Sequence, residues 1–215
     1  MTMKKHEIRS YDFDVRAKED EEHGTYLEGQ PIVYNSRTDL GLYDEIIEVG
    51  ALKNTNLKDV RFLVNHDFNM IPLARSRNNT KNSTMQMTVN DEGMSIRVNL
   101  DVEGNAKAKE LYSAVKRGDI SGMSFAFYID KEEWEDLKTE HPTRRIKSIS
   151  EIFEVSAVTF PAYEETNISA RNDKMVLESA KDVLESARRS MDIDNADSLE
   201  LEKEKIKIKL NLKEN

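Results

Sequence analysis

Residues 121–130 read SGMSFAFYID, from Ser121 to Asp130. As a strand, this stretch sends successive side chains to opposite faces. Met123, Phe125, Phe127 and Ile129 then form one bulky apolar face, and Gly122, Ser124, Ala126 and Tyr128 form the other. The hydroxyl of Ser124 stands between a residue with no side chain and one with a single methyl. The stretch predicts a strand with a serine set in a clearing.

Outward from this strand, the chain is mostly of period two as far as about Ala162. HEIRSYDFDVRA alternates imperfectly, and GTYLEGQPIVYNS reads as a strand broken near Gly29 and Pro31. DVRFLVNHDF and TMQMTVNDEGMSIRVNLD are further strand candidates, the second with a hairpin turn at Asn90–Gly93, and IKSISEIFEVSAVTF is the last. One helix interrupts them, EGNAKAKELYSAVKRG, with Ala106, Leu111, Ala114 and Val115 near one stripe and Gly118 as its C-terminal cap. Beyond Pro161 the character changes: Leu177, Leu184 and Met191 recur seven apart with Ala180 and Ala187 between them, an amphipathic helix. The expected organisation is one mainly β (α+β) domain over 1–164 and a charged helical tail over 165–215. Period two alone permits a sandwich or a barrel.

Composition narrows the function classes. The net charge is −9 and the pI about 5.1, which argues against a general binder of nucleic-acid phosphates. There is no cysteine, which removes disulfides, zinc–thiolate sites and thiol nucleophiles together. The mean hydropathy of −0.69 and 34% charged residues suggest that part of the chain lies outside any core. No apolar run approaches the ~20 residues of a membrane span. The start, MTMKKHEIRSYDF, has two lysines and no apolar segment after them, so no signal peptide is read. No cofactor is implied, and the expectation is a soluble intracellular protein with no membrane partner.

Three polar residues interrupt apolar strands. Alternation puts His66 on the face of Val60, Phe62 and Val64. Glu154 lies between Ile152 and Val158 on a strand whose other face is also apolar, and a buried carboxylate is costly unless hydrogen-bonded or paired. With Ser124 these are the parts of a serine nucleophile system: histidine takes the hydroxyl proton, and a carboxylate fixes its tautomer. Each has a plainer reading as well: a satisfied core histidine, an inert strand serine, and a structural ion pair of Glu154 with Arg144 or Arg145. A metal hydrolase using His66 and Asp67 is disfavoured, because adjacent strand side chains point to opposite faces and the histidines are scattered at 6, 23, 66 and 141.

Four blocks in order, GQPIVYNSRTDLGLYDEIIEVGAL, VRFLVNHDFNMIPLAR, VKRGDISGMSFAFYI followed by Trp134, and IFEVSAVTFPAY, resemble the prohead (procapsid maturation) serine proteases of tailed bacteriophages. The resemblance spans roughly residues 10 to 165 and implies a barrel-like antiparallel β domain with flanking helices. It implies His66 as general base and Ser124 as nucleophile. The family is distantly similar to herpesvirus assembly proteases, whose third member is a second histidine after the serine. Here only His141, in the loop TEHPTRR, follows Ser124, and Glu154 suits the role better. The resemblance further implies an endopeptidase that cuts the scaffolding segment of the major capsid protein, and itself, inside the procapsid assembling in the host cytoplasm. It implies a homo-oligomer, and a tail that binds capsid or scaffold and is removable by self-cleavage. Candidate oxyanion donors are the segment TFPAYEETN and Arg75, which has an equal reading as a partner of Asp67. The reading from another class is a non-enzymatic assembly or scaffolding protein that binds capsid subunits through the tail.

Overall fold

The computed structural model describes residues 6–11, 15–159 and 177–193. In chain order the elements are β1 (Glu7–Tyr11), β2 (Arg16–Asp20), β3 (Gly24–Val33), β4 (Arg37–Asp39), β5 (Asp44–Ile47), β6 (Asp59–Val64), β7 (Ala74–Arg77), β8 (Met85–Asn90), β9 (Gly93–Asn99), α1 (Ala106–Arg117), β10 (Gly122–Glu135) and β11 (Thr143–Val158). A second helix, α2, spans 177–193. The protein is thus mainly β, with a C-terminal helix. None of its described helices is long and apolar enough to cross a membrane.

Local chemistry sets the boundaries. β8 and β9 pair from Met85↔Val98 down to Asn90↔Gly93, so the turn expected at Asn90–Gly93 closes a hairpin. The Asn90 side-chain oxygen accepts from the backbone N–H groups of Glu92 and Gly93. Gly93 has φ 143°, and a β-carbon there would meet the Ile32 carbonyl of β3. The pairing of β3 with β9 shifts between Gly29 and Ile32, the break that Gly29 and Pro31 announce. Helix α1 starts at Asn105, whose side chain accepts from the Lys107 and Ala108 N–H groups, and ends at Gly118 with φ 79°.

The described strands form two open sheets rather than a closed antiparallel barrel. One is four-stranded, β2-β3-β9-β8; the other is seven-stranded, β1-β10-β11-β5-β4, with β6 also on β11 and β7 on β6. Strand β11 makes the second sheet mixed. It is antiparallel to β10 on one side and parallel to both β5, at residues 143–146, and β6, at residues 154–157, on the other. The barrel-like antiparallel domain that the resemblance implies is corrected here: β5 and β6 add to β11 in parallel, and period-two runs carry no record of strand direction.

Both sheets and α1 share one core, which includes Leu27, Ile32, Met94, Ile96, Phe62, Phe125, Phe127, Ile152, Leu111 and Val115. A second, smaller cluster lies on the face of β10 that carries Ser124. There Ala180 and Leu184 of α2 pack on Ile8, Leu40, Tyr43 and Ala126. The stripe of α2 expected from the sequence is therefore half used, since Leu177 is 50% exposed. Arg188 of α2 also donates to the carbonyls of Leu137 and Thr139.

Candidate active site

Strands β10 and β11 set two of the three singled-out residues side by side. The register pairs Ser124 with Ser156 and Ala126 with Glu154, so Ser124, Glu154 and Ser156 share one face. Beyond this point the pairing steps from Ala126↔Glu154 to Phe127↔Ile152, leaving Phe153 as a bulge. The bulge lets Phe153 join Tyr128 and Phe68 in an aromatic cluster, with ring centroids 5.4 and 6.2 Å from it.

His66 arrives by a different route from the one its spacing suggests. Strand β6 ends at Val64, and Asn65 and His66 have φ of 52° and 54°. His66 is therefore in a left-handed turn, a conformation that non-glycine residues adopt only when held there. The holding comes from β11. The Asn65 N–H donates to the Ala157 carbonyl at 3.0 Å, and the Asn65 side chain bonds the hydroxyl and the N–H of Thr159 at 3.0 and 2.9 Å. The His66 N–H donates to Ser156 Oγ at 3.1 Å.

The outcome brings all three residues together. His66 Nε2 lies 2.5 Å from Ser124 Oγ, and its Nδ1 lies 2.8 Å from Glu154 Oε2. Ser156 Oγ donates to the other carboxylate oxygen, Glu154 Oε1, so both oxygens of the buried carboxylate are bonded. The Ser124 residue is wholly buried, and the His66 and Glu154 side chains are each 1% exposed. Chemically this is a hydroxyl, an imidazole and a carboxylate in series, the arrangement that can move a proton off an alcohol.

Several alternatives are settled by where charges go. Glu154 pairs with neither Arg144 nor Arg145. Arg144 bonds Glu7, Glu45 and Glu132, while Arg145 bonds Glu135 at 2.5 Å. Arg75 is bound to Asp59 at 2.5 and 2.7 Å rather than to Asp67. His141 sits apart on the surface, 3.3 Å from Asp44. The segment TFPAYEETN lies outside the described residues beyond Thr159.

Sequence reasoning missed Ser156, which ties Glu154 to the His66 backbone. Its signal was legible: it is two residues on from Glu154, on the same strand face. It also missed Arg9 and Ser10. Ser124 Oγ donates to the Arg9 carbonyl at 2.8 Å, and Ser10 Oγ donates to Ser124 Oγ at 2.9 Å. The clearing beside Ser124 is thus filled by β1, which pairs with β10 in the register Ser10↔Ser124.

Behind this contact lies a buried charge network. Arg9 donates to Glu45 at 2.6 and 2.9 Å, to Glu7 at 2.7 Å and to the Tyr43 hydroxyl at 3.0 Å. Arg144 donates to Glu7 at 2.6 and 2.9 Å and to Glu45 at 2.9 Å. Burial by itself raises the Glu7 carboxyl, but the hydrogen bond and charge of Arg144, with the charge of Arg9, outweigh it and hold Glu7 below the usual carboxylate value. Burial pushes the Tyr43 hydroxyl up to about 12.

Residues 11–181 match the family model described as Caudovirus prohead serine protease. The prohead protease of Enterobacteria phage HK97 is 27% identical over 201 residues, which cover 90% of this chain and 82% of that protein. Among solved structures, that of the bacteriophage T4 capsid assembly protease, gp21, aligns with a TM-score of 0.42 and 14% identity, over 74% of this chain and 100% of that one.

Proposed function

The chain belongs to the caudovirus prohead serine protease family, and from that premise we propose that Ser124 is its nucleophile, His66 the general base and Glu154 the residue that orients the base. Family membership makes the protein a peptidase of bacteriophage capsid maturation. The observation that carries the residue assignment is the series Ser124 Oγ–His66 Nε2, 2.5 Å, and His66 Nδ1–Glu154, 2.8 Å.

In this mechanism Ser124 Oγ attacks the scissile carbonyl carbon while His66 Nε2 takes its proton. The tetrahedral intermediate collapses to an acyl-enzyme as His66 protonates the leaving amine, and water repeats the sequence to release the acid. Glu154 accepts from Nδ1–H, which keeps Nε2 as the acceptor and stabilises the imidazolium that forms. Ser156 supports this by holding Glu154 and the His66 backbone at once.

The substrate we propose is the scaffolding segment of the major capsid protein, cut inside the procapsid in the host cytoplasm, with self-cleavage alongside. We assign residues 1–164 to the protease domain and 165–215 to an arm that engages capsid or scaffold, in a homo-oligomer. The test is co-expression with the capsid protein, followed by gel analysis and fluorophosphonate labelling. Wild type processes the capsid protein and Ser124→Ala does not. Equal assembly and equal processing by Ser124→Ala would sink the enzymatic reading in favour of a scaffolding role.

A further inference from the structure

Strand β1 ends the order β1-β10-β11, so β10, the strand of Ser124, is an edge strand in all but β1. An extended peptide that adds to a sheet edge makes the same main-chain bonds that a resident strand makes. Resting on the assignment of Ser124 above, we propose that β1 is a tethered occupant of the substrate strand. It lies along β10 where a substrate peptide lies during cleavage, and it must swing away before one can enter.

Three observations carry this. The Arg9–Ser10 peptide bond crosses the nucleophile, because the Arg9 carbonyl oxygen accepts from Ser124 Oγ at 2.8 Å and Ser10 Oγ donates to it at 2.9 Å. A serine hydroxyl has one proton. The Arg9 carbonyl and His66 Nε2, at 2.8 and 2.5 Å, compete for it, so the β1 backbone occupies a bonding position on the nucleophile. Ser124, finally, is wholly buried, and no substrate reaches it past β1.

The side chains around β1 are seated as a bound peptide is seated. The His6 ring meets Phe153, Phe68 and Tyr128 edge-on at 5.5, 6.0 and 6.2 Å. Ile8 fills the cluster of Ala126, Ala180 and Leu184. Arg9 enters the carboxylate of Glu45 and also reaches Ser179 Oγ of α2 at 3.4 Å. When β1 leaves, Glu7 leaves with Arg9, and Arg144 then faces Glu45 and Glu132. The peptide that replaces β1 carries an aliphatic residue where Ile8 packs and, where Arg9 sits, a basic residue that donates to Glu45 as Arg9 does. Helix α2, packed on Ile8 and touching Arg9, is the latch.

The chain has no cysteine, so a reversible cross-link tests this in the full-length protein. Ile8 and Ala126 are directly paired, and opposed strand positions lie within disulfide reach. The double variant Ile8→Cys/Ala126→Cys is expected to label with a fluorophosphonate at least tenfold more slowly when oxidised than when reduced. A second variant, Ile8→Ser, loosens β1 and is expected to label at least tenfold faster than wild type, since labelling follows the open fraction. Added peptide HEIRSY slows labelling of Ile8→Ser, and the same peptide with glutamate for its arginine does not. Equal rates in the oxidised and reduced states, or no gain in Ile8→Ser, overturn the proposal and leave the serine assignment standing. No labelling above the Ser124→Ala background in the wild type, the reduced double variant or Ile8→Ser overturns that assignment, and the proposal falls with it.

Discussion

His66 Nε2 and Ser124 Oγ lie 2.5 Å apart although 58 residues separate them in the chain. The contact is made by a left-handed turn pinned to β11 and a strand paired with β11, so one strand positions both groups. Ser124→Ala and His66→Ala are each expected to lower kcat by about 10⁴-fold or more. Ser124→Ala removes one hydroxyl from a packed site and keeps its volume nearly unchanged. Its thermal unfolding midpoint stays within a few degrees of wild type, so a large drop in melting temperature would instead mark Ser124 as structural.

Glu154→Gln keeps the shape of the carboxylate and removes its charge. If Glu154 orients the base, kcat falls by about 10²–10⁴-fold, because the imidazole loses the carboxylate that fixes its tautomer. Ser156→Ala acts one step further out, freeing Glu154 Oε1 and the His66 N–H. A loss of order 10- to 100-fold in kcat is expected there, from misplacement of the histidine. Steady-state kinetics on a capsid-derived peptide separates these, and an unchanged kcat in Glu154→Gln would remove it from the mechanism.

Arg144 is 1% exposed and bonded to Glu7, Glu45 and Glu132. Arg144→Met removes one of the two guanidiniums that the buried Glu7 and Glu45 carboxylates share, and a loss of about 3–5 kcal/mol is expected. Arg145→Met, at a partly exposed pair with Glu135, is expected to cost far less than Arg144→Met. Urea denaturation midpoints with unchanged slopes check both. Equal effects would mean that the Arg144 network holds nothing together.

Glu7 gives a pH dependence with a definite sign. Its folded carboxyl is held below the ordinary value of 4.5, so its contribution is complete above that pH and is lost as the pH falls through the folded value. The urea midpoint should fall on acidification below pH 4.5, and Glu7→Gln should lose less over the same range. Parallel acid curves for the two proteins would refute the assignment.

How far the sequence foretold this architecture depends on the residue. Ser124 and Glu154 were legible because a polar group on an apolar strand face is conspicuous. His66 was singled out for a partly wrong reason: alternation carried the strand through to 66, whereas it stops at Val64 and the turn delivers the ring. Period two cannot report a left-handed turn, since the Asn65 clamp that forces it reaches a residue 94 positions away. Strands β4, β5 and β7, of three or four residues each, are too short for alternation to register. The cluster of Arg9, Glu7, Glu45 and Arg144 was invisible for a different reason. Its members come from three strands, and each looks locally like an ordinary surface charge.

The terminal place of β1 in its sheet has a cost when crowding is considered. A molecule whose β1 has lifted bares a row of unpaired N–H and C=O groups on β10, and such a row pairs as readily with another molecule as with a substrate. Opening in a confined, concentrated interior therefore sets hydrolysis against self-association, and only brief or late opening keeps the balance on the side of hydrolysis.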